Sequence, residues 1–267
     1  MKYSFMSFSC PQLSLSEMLA LAKRLGYDGV EPRIAANHQH GIEPDINTPK
    51  RREIKRQVAE SGVPLSCIAT SCRYADPADV KQQIENTRRC IDLAGDLGVL
   101  RLRVFGGQIG KGLSREAAIA LVADSLRAVT DQAKERGVIV CMETHDDWCH
   151  PDHVARVMKR VNHPTIAVNW DIMHPILTGK VTMDYAFQTL KPWIRHIHFH
   201  DGGKVENRLQ LTPIGAGEVD HRRTLELLMA AGYKDYLSGE WIDWEPYETH
   251  LPRELATMKR YEQEIRR

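Results

Sequence analysis

The feature that most constrains the fold is a regular alternation of short apolar runs with longer segments of helical period. Eight such runs occur, and after nearly every one the apolar residues recur every three or four positions. The runs are KYSFMSF, DGVEPRI, PLSCIAT, VLRLRVF, VIVCMET, TIAVNWD, IRHIHFH and YLSGEW. Eight strand–helix units in 267 residues, with no linker between them, predict an α/β fold: a single (β/α)8 TIM barrel as one domain over residues 1–267.

The segments between these runs carry helix-end signals. Ser14 followed by Glu17 is a capping-box pattern, and this first helix is expected to stop near Gly26. Further helices are predicted over about 49–60, 76–97, 114–136 and from about 252 onward. A doubly wound open sheet is the alternative fold, but no G-x-G-x-x-G turn follows the first strand.

The charge balance argues against nucleic-acid and membrane partners. The chain has 36 Lys and Arg against 35 Asp and Glu, a formal net charge of +1, so it lacks the positive surface that such partners need. Its six cysteines include no C-x-x-C pair, and the first residues lack the apolar core of a signal peptide. We therefore expect reduced thiols, a cytoplasmic location and no membrane segment.

Carboxylates end three of the last four predicted strands. Glu143 ends the fifth strand, Asp171 the sixth and Glu240 the eighth. In a barrel of this kind the active site lies at the carboxyl ends of the strands, and neighbouring strands are about 4.8 Å apart. Three carboxylates and one histidine from the seventh strand would form a mostly oxygen ligand set. Such a set predicts one divalent cation, with Mn²⁺ or Mg²⁺ favoured and Co²⁺ or Zn²⁺ tolerated.

The seventh strand offers three histidines on one face, His196, His198 and His200. Spacing alone does not say which of them is the ligand. The inward face of the barrel is also polar on other strands, where it carries Glu31 and two arginines, one of them Arg103. We expect Glu31 to pair with an arginine inside the barrel, and a substrate contact by Arg103 is the alternative.

The sequence resembles the xylose-isomerase-like barrels, a family with sugar epimerases, ketose isomerases, inosose dehydratases and apurinic endonucleases. The resemblance covers essentially the whole chain. Its motifs, in order, are GYDGVEP (26–32), CMETH (141–145), NWDIMH (169–174), HIHFHD (196–201), PIGAGEVD (213–220) and SGEW (238–241). Each motif is weak alone, and their order and spacing carry the resemblance.

The resemblance implies roles for individual residues. The family's seventh-strand pattern, His-x-x-Asp, places the metal ligand on His198 and its aspartate on Asp201, with His196 deeper in the core and His200 where many relatives carry lysine. The D-x-x-H motif makes Asp171 a ligand and His174 a contact to substrate oxygens. Glu143 and Glu240 would both bind the metal and move the proton. The further substrate-binding candidates are His145, His200, Arg208, Arg103 and Trp241.

These roles predict an isomerase or epimerase of a small-molecule sugar or keto-sugar, in which a carboxylate removes a proton beside a carbonyl and the metal stabilises the ene-diolate. A dehydratase or lyase on an inosose or keto-glycoside would use the same residues. The endonuclease branch is less favoured because the segments SCIATSCRY and LRLRVFGGQ lack the additional histidines that it needs. A non-catalytic binding barrel is the remaining alternative. The relatives also suggest a homo-oligomer.

Overall fold

The computed structural model describes residues 1–206 and 208–267 and has ten strands in the described part. Eight of them form one parallel sheet: β1 (Lys2–Met6), β2 (Gly29–Glu31), β3 (Ile68–Ala69), β4 (Arg101–Val104), β5 (Ile139–Glu143), β6 (Ile166–Asp171), β7 (Ile194–Phe199) and β10 (Tyr236–Gly239). The other two, β8 (Asp201–Val205) and β9 (Arg208–Thr212), pair antiparallel as a hairpin.

The parallel sheet closes almost completely on itself. Its strand order is β2-β1-β10-β7-β6-β5-β4-β3, and the two end strands meet through isolated bridges between Val30 and Leu65 and between Arg33 and Ala69. Helices lie between successive strands, so the chain is a (β/α)8 TIM barrel, as the alternation predicts. The open doubly wound alternative is wrong because the first and last strands of the sequence, β1 and β10, are neighbours.

Ten helices connect and flank the strands in the described chain. They are α1 (Leu15–Leu25), α2 (Thr48–Ser61), α3 (Val80–Leu97), α4 (Arg115–Arg127), α5 (Thr130–Arg136), α6 (Pro151–Val161), α7 (His174–Leu177), α8 (Met183–Leu190), α9 (His221–Ala230) and α10 (Tyr247–Ile265). The capping box of α1 is confirmed, with both reciprocal hydrogen bonds between Ser14 and Glu17, and Gly26 ends the helix at φ 80°.

Three predicted helix boundaries are wrong. The helix predicted over 114–136 is two helices, because the backbone at Val129 (φ −114°, ψ 0°) leaves the helical range. The helix predicted from 76 begins at Val80, with Asp76 capping the preceding turn instead. The last helix begins at Tyr247 rather than at Pro252, since buried His250 and Leu251 anchor its first turns to the core.

The apolar core fills the layer between the strands and the surrounding helices. Outward-facing strand residues such as Val140, Val168 and Ile197 are fully buried there. All six cysteines are buried free thiols, as expected. Among the described residues, no helix has the length and apolar character needed to cross a bilayer.

The hairpin β8–β9 follows directly after the seventh barrel strand. Its two strands do not appear among the eight runs that the sequence alternation predicts. The hairpin stands at the carboxyl end of the barrel, and Leu209 on it is 43% exposed. The hairpin therefore forms an additional wall at the mouth of the barrel, which the periodicity of apolar residues in the sequence does not predict.

Candidate active site

The four predicted metal ligands lie together at the carboxyl ends of the last four barrel strands. One ligand atom from each of Glu143, Asp171, His198 and Glu240 lies within 4.8 Å of the others, and all four residues are buried. Strand register produces this arrangement, because Asp171 pairs with His198 and Glu143 pairs with Asn169 across neighbouring strands. A register shift in the β6–β7 pairing at Val168/Asn169 sets this alignment.

His198 is the centre of the cluster. Its Nδ1 lies 2.5 Å from Oε1 of Glu143 and 3.0 Å from Oε2 of Glu240. Its Nε2 lies 3.0 Å from Oε1 of Glu31, whose other oxygen lies 2.7 Å from Nε2 of His196. The imidazole of His198 is thus oriented by Glu31 on one side and faces the carboxylate cluster on the other.

The expectation that Glu31 pairs with an arginine is wrong. Its two oxygens contact His196 and His198, and Arg103 instead approaches Oε2 of Glu143 with its Nε at 3.3 Å and donates to the carbonyl of Thr70. His196 and His198 occupy alternate positions on β7 and so point to the same inward face, from which they reach Glu31 of β2 across the barrel. The sequence signal for this contact was the carboxylate at the end of the second strand, at the same level as the other acids.

Electrostatic interactions between the charged side chains of the cluster are strong because these side chains are buried away from solvent. Burial lowers the pKa of His198, but Glu31, Glu143 and Glu240 outweigh burial and hold this pKa well above its ordinary value. Burial raises the pKa of Glu240, but His198 and Arg103 outweigh it and bring the pKa to about 2. Glu31 follows the same pattern, since His196 and His198 hold its pKa well below the ordinary value against burial. Glu240 and Glu31 are therefore anionic and need nearby positive charge.

The residues of the cluster fit a hard divalent cation. They offer three carboxylates and one imidazole, a donor set suited to Mn²⁺ or Mg²⁺. Within the described chain, Oε2 of Glu143 and Oε2 of Glu240 are buried and accept no hydrogen bond, and their only charged contacts are the ion pairs with Arg103 and His198. Buried carboxylate oxygens rarely stay unpartnered unless another ligand completes their environment.

A second group of ligand-type side chains extends from the cluster towards the barrel mouth. Asp171, His174 and His200 also bring ligand atoms within 4.8 Å of one another. Nε2 of His200 lies 2.7 Å from Oδ2 of Asp171, while Oδ1 of Asp171 accepts from the backbone N–H groups of Met173 and His174. Asp171 is thus fixed by the start of α7 on one oxygen and by His200 on the other.

A cavity of about 200 Å³ opens directly above these groups. One side is polar and the other is apolar, with the apolar side formed by the hairpin and by the segment after β10. The lining residues are His145, His174, His200, Leu209, Leu211, Glu240 and Ile242. The cavity has the size of a small metabolite, below the roughly 300–1,000 Å³ typical of drug-sized ligand sites.

Asp201 anchors the loop behind this cavity. Its carboxylate is fully buried and accepts hydrogen bonds from the backbone N–H groups of Gly202, Gly215, Gly217 and Val219. The loop 213–219 is therefore tied to the end of β7, next to His198 and His200. Asp201 has a structural environment distinct from that of the four predicted ligands.

The other predicted substrate contacts divide into two groups. His145 and His174 line the cavity, with ring centroids 4.4 Å apart. Trp241 is only 1% exposed and packs on Phe199 and His250, so in this structure it offers no ring face to a substrate. Trp241, named from the sequence as a substrate-binding candidate, does not line the cavity, because its indole lies in the core behind β10.

The two arginine candidates also lie away from the cavity lining. Arg103 is fully buried and held by Glu143 and by the carbonyl of Thr70. Arg208 is exposed at the start of β9. Neither arginine therefore lines the cavity in this structure.

Comparison with known proteins agrees with this fold. A curated L-ribulose-5-phosphate 3-epimerase from Salmonella paratyphi B is 28% identical over 243 residues, which cover 85% of this chain and 82% of that protein. A 3-dehydroshikimate dehydratase from Bacillus anthracis is 24% identical over 203 residues, 74% of this chain and 71% of the relative.

Solved structures show the same fold at lower sequence identity. The probable 3-DHS dehydratase AsbF from B. anthracis superposes with a TM-score of 0.81 at 20% identity, covering 97% of this chain and 99% of that one. An L-ribulose 3-epimerase superposes with a TM-score of 0.81 at 17% identity, covering 100% and 96%. The profile of the xylose isomerase-like TIM barrel family matches residues 19–261. The chain therefore belongs to the xylose isomerase-like TIM barrel family.

Proposed function

We propose that this protein is a divalent-metal-dependent enzyme that removes and returns a proton beside the carbonyl of a small keto-sugar, as an isomerase or epimerase. The observation that carries the proposal is the convergence of Glu143, Asp171, His198 and Glu240 in one buried cluster below a cavity of about 200 Å³. Proton abstraction beside a carbonyl needs a carboxylate base and stabilisation of the negative charge that develops on oxygen.

The same four residues would hold the metal ion, most favourably Mn²⁺. When bound there, the ion would supply Lewis-acid stabilisation of the negative charge that develops on the substrate's oxygen. His145, His174 and His200 line the polar side of the cavity, where imidazole groups hydrogen-bond the remaining hydroxyls.

The two glutamates divide the proton transfer by their position. Glu240 lines the cavity and takes the proton from the carbon beside the carbonyl. Glu143 contacts the same Nδ1 of His198 as Glu240 but does not line the cavity. It is held by Arg103 and by the amide of Asn169, whose Nδ2 donates to Oε1 at 3.1 Å. For epimerisation, Glu143 in its carboxylic acid form donates a proton to the opposite face of the same carbon, while Glu240 keeps the proton that it removed. For isomerisation, Glu240 returns its own proton to the neighbouring carbon. The apolar wall of Leu209, Leu211 and Ile242 excludes water from the reacting carbon.

The second candidate is a dehydratase. The similarity to the B. anthracis 3-dehydroshikimate dehydratase, in sequence and in fold, favours it. The two reactions share proton abstraction and differ in the next step, because a dehydratase expels a hydroxyl from the carbon next to the carbanion instead of returning the proton.

A substrate panel separates the two. The protein with Mn²⁺ added would be incubated in D₂O with L-ribulose 5-phosphate, L-ribulose, D-allulose, D-tagatose and 3-dehydroshikimate, and followed by NMR. An epimer or isomer that carries deuterium at the reacting carbon supports the first function, and loss of water with no epimer supports the second. No reaction and no deuterium exchange with any member would contradict both.

Variants of the two glutamates test their roles in any activity found. Glu143→Gln and Glu240→Gln keep the side-chain size but remove the base, and we expect kcat to fall by at least 10³-fold in each. Glu226→Gln, an exposed glutamate on α9, is the matched control and should leave kcat within twofold. Unchanged turnover in both active-site variants would remove Glu143 and Glu240 from the mechanism.

A further inference from the structure

Arg33 is a half-buried cation at the mouth of the barrel without a salt bridge to any described residue. It follows β2 directly, and its guanidinium contacts the hydroxyl of Ser71 and the carbonyl of Ile34. Both partners are neutral. The fully buried arginine nearby, Arg103, has a carboxylate partner in Glu143.

The backbone position of Arg33 connects it with the candidate active site. Arg33 bridges to Ala69 of β3, and Ala69 pairs with Arg103 of β4, whose Nε lies 3.3 Å from Oε2 of Glu143. Burial and the neighbouring Arg103 lower the pKa of Arg33 to about 10, while Glu240 and Glu143 lie close enough to raise it in part. The ring of Phe8, which follows β1, lies 5.9 Å from the guanidinium carbon. Arg33 therefore lies beside the segments that follow β1 and β3, through its contacts with Ser7 and Ser71, and outside the lining of the histidine-lined cavity.

The backbone around Arg33 is fixed by side-chain hydrogen bonds. Its N–H donates to Oγ of Ser7, and its carbonyl contacts Nε2 of His40 at 3.1 Å. Ala35, two residues on, has φ 57°, a left-handed conformation that costs a non-glycine residue free energy, and its N–H donates to Oε2 of Glu43. The arginine is thus held in place rather than placed freely on a surface loop.

An arginine guanidinium has five N–H donors in one plane, arranged as a fork. In Arg33, only two of its nitrogens donate hydrogen bonds to the part of the chain that the structure describes, to the neutral carbonyl of Ile34 and the hydroxyl of Ser71. A partly buried cation without a counter-charge is unfavourable unless a ligand supplies that charge. Among the described residues, the cavity lining contains no lysine or arginine that could bind an anionic group of a ligand in place of Arg33.

We propose that Arg33 binds an anionic group of the substrate, a phosphate or a carboxylate at the end remote from the reacting carbonyl. This inference rests on the proposed function, because it assigns the substrate class of the same site. The substrate is then an acidic keto-sugar derivative: its carbonyl lies over the ligand cluster, and its anionic group reaches the fork of Arg33 at the mouth.

Turnover of matched substrates tests the assignment. We expect wild-type protein to prefer the anionic members of the panel over the neutral ketoses, and Arg33→Gln to lower kcat/KM for the anionic members by about 10- to 100-fold more than for the neutral ones. Arg33→Lys should recover part of this selectivity because it restores the charge without the fork. If the larger loss of kcat/KM occurs with the phosphorylated ketose, Arg33 binds a phosphate. If it occurs with the keto-acid, Arg33 binds a carboxylate.

Two comparison variants sharpen this test. Arg73→Gln removes an exposed arginine that pairs with Asp79 close to Ser71, and it should leave the selectivity as in wild type. Arg208→Gln removes the competing arginine on the hairpin. The inference is overturned if Arg33→Gln leaves the ratio of anionic to neutral substrates unchanged, or if Arg208→Gln accounts for the ratio instead.

A binding measurement separates this inference from the proposed function. Calorimetric titration with inorganic phosphate and with acetate needs no turnover, and we expect wild-type protein to bind at least one of them about 10-fold more tightly than Arg33→Gln. If the panel gives no turnover but this difference is found, the proposed function fails and the anion site stands. Equal binding by the two proteins would reject the anion site even where turnover is found.

Discussion

At the scale of single residues, the least expected contact is that of Glu31 with two histidines of β7. Glu31 is fully buried and lies 3.0 Å from Nε2 of His198. When a proton on Nε2 donates to Glu31, Nδ1 keeps its lone pair for a cation among the carboxylates. Glu31 is a positioning residue in this arrangement, because it acts on the cation only through His198.

We predict that Glu31→Gln weakens Mn²⁺ affinity by about 10- to 100-fold, since an amide holds the imidazole less firmly and removes a negative charge. Calorimetric titration with Mn²⁺ measures this change. Glu254→Gln is the matched control, because Glu254 is also fully buried but binds Arg253 and the backbone of Ile214. Equal Mn²⁺ affinity in wild type and Glu31→Gln would contradict the positioning role.

A second residue-scale prediction concerns acid stability. Burial lowers the pKa of His40 from 6.5 to about 4, and its Nδ1 accepts from the N–H of Ile42, which a proton on Nδ1 would prevent. The folded state thus favours neutral His40. Its contribution is complete above about pH 6.5 and is lost as pH falls towards 4, by about 3 kcal/mol in total.

Urea denaturation between pH 7 and pH 4 measures this loss. We expect the free energy of unfolding of His40→Gln to depend less steeply on pH in this window than that of wild type, by up to about 3 kcal/mol. An NMR titration of the His40 imidazole in the folded protein gives its pKa independently. Identical pH profiles for the two proteins would show that His40 carries no such linkage.

At the scale of elements, the hairpin β8–β9 decides the shape of the cavity. It carries the cavity residues Leu209 and Leu211, which face Ile242 from the segment after β10. Leu209 and Ile242 are 43% and 46% exposed, so they contribute little to folding and remain available to a ligand.

We predict that the double variant Leu209→Ala/Ile242→Ala raises KM by about tenfold, because apolar contacts to the substrate are lost. The free energy of unfolding should change by less than about 1 kcal/mol, since both side chains are partly exposed. Val205→Ala is the matched control on the same hairpin, as Val205 is 51% exposed and does not line the cavity. A similar KM in both variants would remove the hairpin from substrate binding.

The loop anchored by Asp201 supplies a second prediction at this scale. Asp201→Asn should lower the free energy of unfolding by about 2–3 kcal/mol, because an amide offers one oxygen where two now accept from four backbone N–H groups. Asp220→Asn, at the N-cap of α9, is the control and should be nearly neutral, since asparagine caps as well as aspartate. Chemical denaturation measures both.

At the scale of the whole molecule, the cluster joins four strands of the barrel, so its charge affects the stability of the entire fold. Four buried carboxylates surround His198 and its neighbours, and a bound divalent cation would offset their repulsion. We predict that Mn²⁺ at 100 times its Kd raises the free energy of unfolding by about 2.7 kcal/mol.

Thermal denaturation with and without Mn²⁺ or EDTA tests this prediction. Asp171→Asn should abolish most of the Mn²⁺-dependent increase in Tm, whatever its effect on the metal-free protein. An equal Mn²⁺-dependent increase in wild type and Asp171→Asn would place the binding of the ion elsewhere on the molecule.

Sequence by itself determined the barrel and the identity of the residues that meet in the cluster. The periodicity of apolar residues predicts whether a segment is a strand or a helix. Eight consecutive strand–helix units are then compatible with few topologies other than a barrel. Because parallel strands end at one rim, acids at strand ends must converge there, and Glu143, Asp171 and Glu240 could be found without coordinates. The choice of His198 among the three histidines of β7 came from the resemblance to the family.

Only the tertiary structure decided the contacts made across the barrel and the shape of its mouth. Glu31 meets β7 rather than an arginine, Trp241 turns into the core, and the hairpin forms the cavity wall. That Arg33 forms no salt bridge with a carboxylate of the described chain is likewise visible only in three dimensions. The physical reason is that the periodicity of apolar residues determines which face of a strand or helix a residue occupies. It does not determine contacts between residues far apart in sequence, which depend on packing and charge across the closed sheet.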